Sequence, residues 1–268
     1  MIENELKVKK GRILEIDLLR GLAILLMMLH HLIFDLRYIV GLDVFAFQET
    51  VWFQQYLRLP VISIFILVSG VSSSFSRNNL RRGVRLLIAS LILTGGSLLL
   101  NYITGENLGV IIFNVFHVLA VSIISYALLE KIFQRQNKTE NVRFRFFLLL
   151  LVLGSVLIFL PKILQQRIGL RSTVLNMLFF AKYPAGYNLL DSMPLFPWLG
   201  FFLIGSALGL VLYRERKSLL PDPGPKTGQV LSLLTFMGRN ALWVYLLHQP
   251  IILSVLWLLG QMGILPKI

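Results

Sequence analysis

A chain of 268 residues that is 56% hydrophobic and only 15% charged has too much apolar surface for soluble domains to cover. Its mean hydropathy of +0.75 makes lipid the natural solvent and excludes disorder. A net charge of +13 would point to nucleic acid, but the basic residues lie between apolar stretches and form no continuous stripe. The absence of cysteine removes disulfides, thiolate catalysis and cysteine-held metals.

A membrane crossing needs about 20 mainly apolar residues. In chain order the sequence offers seven such stretches, at 13–36, 59–75, 84–103, 110–129, 144–164, 195–213 and 242–259. The first is long and contains His30 and His31, so it reads as a signal anchor and not a cleavable signal peptide. Residues 47–57, with Trp52 and Tyr56, form an amphipathic piece expected along the outer surface. The longest external segment is 165–194, where 174–180 is apolar enough to rest on the interface. Residues 221–228 (PDPGPKTG) are a loop linking the first six spans to the last. The apolar run 230–260 would measure about 46 Å as one helix, longer than one crossing. Residues 230–237 are therefore expected as a short interfacial lead-in, with a break at Gly238 and a single span after it.

The expected fold is all-α: a polytopic membrane helix bundle of about seven transmembrane helices. Residues 1–12 form a cytoplasmic N-terminal tail and 13–268 a single transmembrane domain. Nineteen basic residues fall on one side of these spans, Arg20 and Arg239 included, and seven on the other. Because cytoplasmic loops carry the excess of Lys and Arg, the N-terminus is expected inside and the C-terminus outside, in the cytoplasmic membrane. No internal repeat of the transporter kind is evident.

All four histidines, His30, His31, His117 and His248, fall within spans, where an ionisable group is costly and faces the bundle interior. For any one of them an interhelical hydrogen bond is the plainer role. His31 stands out because Asp35 follows at i+4 on the same helical face, where a carboxylate can orient an imidazole and stabilise its cation. Such a pair suits acyl transfer, in which a base takes the proton of the nucleophile. Arg77, Arg81, Arg82 and Arg85 follow the second span; topology accounts for most of this cluster, and a phosphate-bearing cytosolic substrate is the sharper alternative. There is no serine-nucleophile elbow. Adjacent histidines diverge by about 100° on a helix, and no H-x-x-x-H spacing occurs, so no metal is expected.

These residues also carry a resemblance. The first span, from Glu15-Ile-Asp17-Leu-Leu-Arg20-Gly21 to His30-His31-Leu-Ile-Phe34-Asp35, resembles the opening of the heparan-α-glucosaminide N-acetyltransferase catalytic-domain family. Further similar stretches are Phe65-Ile-Leu-Val-Ser69-Gly70, Asn114-Val-Phe-His117, Asp191-Ser-Met-Pro-Leu-Phe-Pro197-Trp198, and Gly238-Arg239-Asn240 through Tyr245-Leu-Leu-His248-Gln249-Pro250. Arg20 and His31, with ten residues between them, are also similar to the arginine–histidine motif of bacterial membrane O-acyltransferases, which favours His31 over His30.

The resemblance implies an integral-membrane acyltransferase. It would move an acyl group, acetyl in the first instance, from cytoplasmic acetyl-CoA or another acyl-CoA to an amine or hydroxyl of an external sugar, glycan or lipid-linked saccharide. His31 and Asp35 would be catalytic; His117, Asp191 and His248 would bind the acceptor; Arg20, Arg81, Arg85 and Arg239 would hold the CoA phosphates. The chain is shorter than eukaryotic members and lacks their additional spans and lumenal domain, so their heparan substrate does not carry over. Expected partners are the donor, the acceptor and the bilayer, with a homo-oligomer left open and no nucleic acid. The alternative from another class is a proton-coupled transporter or channel in which the histidines form a relay.

Overall fold

The computed structural model describes residues 13–105, 109–134, 139–167, 173–180, 191–221 and 224–266. The expected tail 1–12 lies outside these residues, as do half of the external segment 165–194 and part of the 221–228 loop. Along the described residues run nine α-helices and no β-strand: α1 (Leu14–Tyr38), α2 (Leu59–Ser73), α3 (Asn79–Thr104), α4 (Val115–Gln134), α5 (Glu140–Arg167), α6 (Thr173–Phe180), α7 (Trp198–Leu212), α8 (Pro225–Arg239) and α9 (Ala241–Gln261). Between α1 and α2 lie a 3₁₀ turn (Ala46–Glu49) and a wide π-helical stretch (Trp52–Arg58) that runs directly into α2. Six helical stretches are long and apolar enough to cross a membrane, and α7 is a shorter apolar helix. The protein is a polytopic membrane helix bundle.

The surface is inverted relative to a soluble fold. Ile92, Leu99 and Ile103 on α3 and Val152 and Phe159 on α5 are all more than half exposed. Apolar side chains turned outward on helices this long are solvated by lipid. Helices in lipid gain little from burying more apolar surface, so they associate through small residues that let backbones touch.

The chain forms two compact units, one from the chain up to Val68 together with Glu215 onward, the other Ser69–Arg214. In the first, α8 and α9 pack on α1. The contact between α1 and α8 is backbone to backbone. A Cβ on Gly21 would overlap the Leu234 carbonyl, and one on Gly238 would overlap that of Asp17. These two pairs run in opposite chain directions, so the helices cross antiparallel. Arg20 reinforces the crossing by donating to the Gly238 carbonyl (3.4 Å). The start of α1 is tied down by Glu15, whose carboxylate accepts from the Leu219 amide (2.7 Å) and the Ser218 hydroxyl.

Two sequence expectations need correction here. The lead-in to the last span is a 15-residue helix seated on α1, not a short interfacial piece. The break falls at Asn240 (φ −105, ψ 26) instead of Gly238, because Gly238 is needed inside α8 for its contact with Asp17.

In the second unit α7 is the core. Phe202, Leu203, Ser206 and Ala207 are at most 1% exposed. It packs on α5 through Gly154 and Gly200, each placed so that a Cβ would press on the other's carbonyl oxygen. The expected span 195–213 is realised as only 15 helical residues, because Pro194 and Pro197 precede its first turn. At about 1.5 Å per residue it falls short of a hydrocarbon core of about 30 Å. Its non-helical approach is tolerated because Met193 and Leu195 are buried in protein and the Met193 amide donates to the Phe113 carbonyl (2.7 Å). The fourth span begins at Val115, five residues later than the apolar run suggests, for a reason found at His117 below.

Gly21→Leu and Gly238→Val should each lower the melting temperature of the detergent-solubilised protein by several degrees, because the obstructing atoms are backbone. Gly95→Ala, where nothing lies within 4 Å, should leave melting unchanged or raise it slightly. An unshifted Gly21→Leu would mean that the α1–α8 crossing does not hold the unit together.

Candidate active site

Adjacent residues on a helix point about 100° apart, so His30 and His31 reach different neighbours. Together with aromatic rings they make a continuous row within the first unit. Ring centroids are 5.4 Å apart from Phe47 to Phe53, and 5.4 Å from Phe53 to His30. The row continues with 5.8 Å from His30 to His31, 5.0 Å from His31 to His248, and 5.2 Å from His248 to Tyr245. It links the segment between α1 and α2 to α1 and then to α9.

His30 is committed to structure. Gln48, only 3% exposed, donates through Nε2 to the His30 carbonyl (3.2 Å), and the same nitrogen lies 3.4 Å from His30 Nδ1. The Gln48 backbone is fixed in turn by Gln54, whose Nε2 donates to its carbonyl (2.7 Å), and Gln54 accepts from Arg58 (3.0 Å). The loop leading to Gln48 is clasped by Arg37, which meets Asp43 (3.4 Å), Glu49 (3.2 Å) and the Val44 carbonyl (3.2 Å). Tyr38 donates its hydroxyl to Glu49. That bond and the Arg37 charge hold the Glu49 carboxyl below the usual carboxylate range. Because the folded value is the lower one, this contribution is present above the unfolded pKa and lost as pH falls through the folded one.

His31 differs. It is half-buried, and among the described residues its ring nitrogens take no hydrogen bond. Its ring neighbour His248 is 4% exposed and donates Nδ1–H to the Tyr245 carbonyl, which makes Nε2 its lone-pair nitrogen. Two residues further on, Pro250 lacks the amide that would bond to the Leu246 carbonyl, so the α9 ladder is interrupted beside the site. Asp35 is 1% exposed, and both its oxygens accept from Gln249 Nε2 (3.1 and 2.8 Å). The i+4 spacing thus places Asp35 one turn beyond His31 without a hydrogen bond between them. The orienting partner of Asp35 comes from α9, a helix the spacing argument did not include.

His117 and Asp191 belong to the second unit. Asn114 caps α4: its Oδ1 accepts from the Phe116 amide (3.1 Å) and lies 2.9 Å from His117 Nδ1. The Asn114 backbone amide donates to the same Nδ1 (3.3 Å), and Nε2 faces the Thr94 hydroxyl (3.3 Å). Phe113 stacks on the ring at 5.4 Å. This is a capping box with histidine in the usual glutamate position, and it sets the start of α4. His117, 4% exposed, therefore serves the cap. Asp191 is exposed, in a left-handed conformation (φ 50), two residues before the Met193–Phe113 bond that joins its segment to this cap.

The arginines divide between the two units. Arg20 and Arg239 both sit at the C-terminal end of α8: Arg20 on the Gly238 carbonyl, and the exposed Arg239 folded back on Thr235 (2.9 and 3.0 Å). Cations are favoured at a helix C-terminus, so these contacts have a structural basis of their own. Arg81 and Arg85 are exposed on the first turns of α3 in the second unit. Among the described residues no group of His, Asp and Glu is arranged to hold a metal ion.

Comparison with protein families matches residues 12–250 to the family described as heparan-alpha-glucosaminide N-acetyltransferase, catalytic. The chain belongs to that family. The match runs from the start of α1 to Pro250 and takes in the whole histidine row. It implies a transferase, of membrane acetyltransferase type. No curated protein and no solved structure matches the chain. Reasoning from the sequence missed Gln48 and gave Gln249, Tyr245 and Asn114 no role. The last three stand in stretches that carry the family resemblance, whereas nothing in the sequence marks Gln48, which meets His30 across 18 positions.

If His117 is a capping residue, His117→Ala and Asn114→Ala should each cost about 1 kcal/mol of stability, a loss typical of helix caps and visible as a lower melting temperature. A His117→Ala protein that melts normally but no longer binds acceptor would return His117 to the acceptor site.

Proposed function

We propose that the protein transfers an acyl group, acetyl in the first instance, from acyl-CoA on the cytoplasmic side to an amine or hydroxyl of a sugar or glycan outside, with His31 as the base. One observation carries this reading: within a family of acetyltransferases, His31 is the histidine of the row whose ring nitrogens are left open by the described residues.

His31, neutral, takes the proton of the acceptor N–H or O–H as the nitrogen or oxygen bonds to the thioester carbonyl carbon. The carbon–sulfur bond breaks, and His31 returns the proton to the departing sulfur. What the donor supplies is an activated acyl group. Asp35, buried and held by two bonds from Gln249, lies one turn away and favours the transient imidazolium through the field of its carboxylate. His248 packs on the His31 ring and restricts its rotation. Arg20 and Arg239 at the foot of α8 supply positive charge suited to CoA phosphates, and Arg81 and Arg85 on α3 are further candidates for that role. Asp191 remains a candidate contact for the acceptor.

His31→Ala should reduce turnover by about 10²-fold or more, the range of a general base, while acyl-CoA binding survives. Asp35→Asn should fall between this and wild type. His30→Ala should cost chiefly stability, through loss of the contacts with Gln48 and Phe53. CoA release assayed with labelled acetyl-CoA decides it: full turnover in His31→Ala removes the mechanism, and substrate flux without CoA release favours a transporter. A reporter joined beyond α9 should read extracytoplasmic; a cytoplasmic signal there would reverse the faces assigned to donor and acceptor.

A further inference from the structure

The side-chain amide of Gln48 meets His30 and that of Gln249 meets Asp35, one turn beyond His31, and each is oriented through its nitrogen alone. Gln249 Nε2 faces two carboxylate oxygens of Asp35, and Gln48 Nε2 faces the His30 carbonyl and ring. Neither amide can flip, because the flip would set its oxygen against another acceptor. Both Oε1 atoms are therefore fixed as acceptors. Both are also buried and without a hydrogen-bond partner among the described residues. A buried polar atom left unmet is costly and uncommon. Among the described residues eight side-chain atoms are in this state, and these two lie on elements far apart in sequence: Gln48 against His30, and Gln249 on Asp35, one turn beyond His31.

We infer that Gln48 and Gln249 are the acceptor-reading residues of this site, their Oε1 atoms taking hydrogen bonds from the hydroxyl or amine groups that flank the one to be acylated. The inference rests on the transferase reading for the reaction, but not for the binding. A polyhydroxylated ring brings several donors at once and meets both oxygens while one of its groups addresses His31. Gln48 is held rigid by the Gln54 and Arg58 chain, and Gln249 by the buried Asp35 carboxyl, so the two oxygens are in place before the ligand arrives. Each glutamine acts on the acceptor, not on the thioester, so its effect should appear in the acceptor KM.

The test uses the purified full chain in lipid nanodiscs, with acetyl-CoA as donor and glucosamine and its 3-, 4- and 6-deoxy analogues as probes. Two readouts are needed: KM for each substrate, and the shift in melting temperature on adding each sugar, which requires no turnover. In the wild type at least one deoxy analogue should show an acceptor KM raised about tenfold and a smaller melting shift, as for one lost hydrogen bond. In Gln48→Met or Gln249→Met that discrimination should vanish, with the acetyl-CoA KM unchanged. Since Gln249→Met also strips Asp35 of its partner and could unfold, the wild-type analogue series stands as an independent arm. Turnover without any deoxy discrimination, or a glutamine variant that raises the acetyl-CoA KM instead, overturns the inference and leaves the transferase reading intact. Deoxy-sensitive sugar binding without CoA release does the reverse. No sugar-dependent shift and no CoA release overturns both.

Discussion

A carboxyl group at 1% exposure inside a membrane helix must be met by a donor, and at Asp35 that donor is Gln249. An unpaired ion taken out of water costs several kcal/mol even after relaxation, so this contact strongly constrains how α9 lies on α1. With Asp35 and Gln249 joined, the neighbouring His248 is brought against His31, and the ring row follows from that docking. The buried carboxyl group thus shapes the site without hydrogen-bonding the histidine one turn away from it.

Elsewhere the packing answers a different demand. Lipid gives helices little reason to associate beyond close contact, so the interfaces are made where side chains vanish. At Gly21 and Gly238 in one unit, and Gly154 and Gly200 in the other, backbone meets backbone. Large apolar side chains such as Ile92 and Phe159 face outward. The short apolar helix α7 is deeply buried because it is surrounded by protein, and for the same reason its non-helical approach survives.

Environment divides the histidines. His117 closes a helix cap through Nδ1 and faces Thr94 through Nε2, His30 is pinned under Gln48, and His248 gives its Nδ1 proton to its own helix. His31 alone of the four has a ring without a hydrogen bond among the described residues. A base must be able to turn its lone pair to the substrate, and His31 has a ring that no hydrogen bond holds among the described residues.

Hydropathy alone located the membrane-crossing helices, because lipid allows so few backbone solutions that about 20 apolar residues commit to a helix. Local spacing likewise drew attention to His31 and Asp35. What it could not supply was contact between helices. The i+4 rule paired Asp35 with His31, but the carboxyl group went to Gln249, 214 positions away. The apolar run at 110 concealed a helix start fixed by Asn114 and His117, and Gly238, read as a break, proved to be a contact surface. Periodicity and composition act along the chain, so they determined which segments are helices and which polar residues lie within the spans. Hydrogen bonds and close approaches act across it, so only the tertiary structure decided which of those residues are committed to structure and which is left for chemistry.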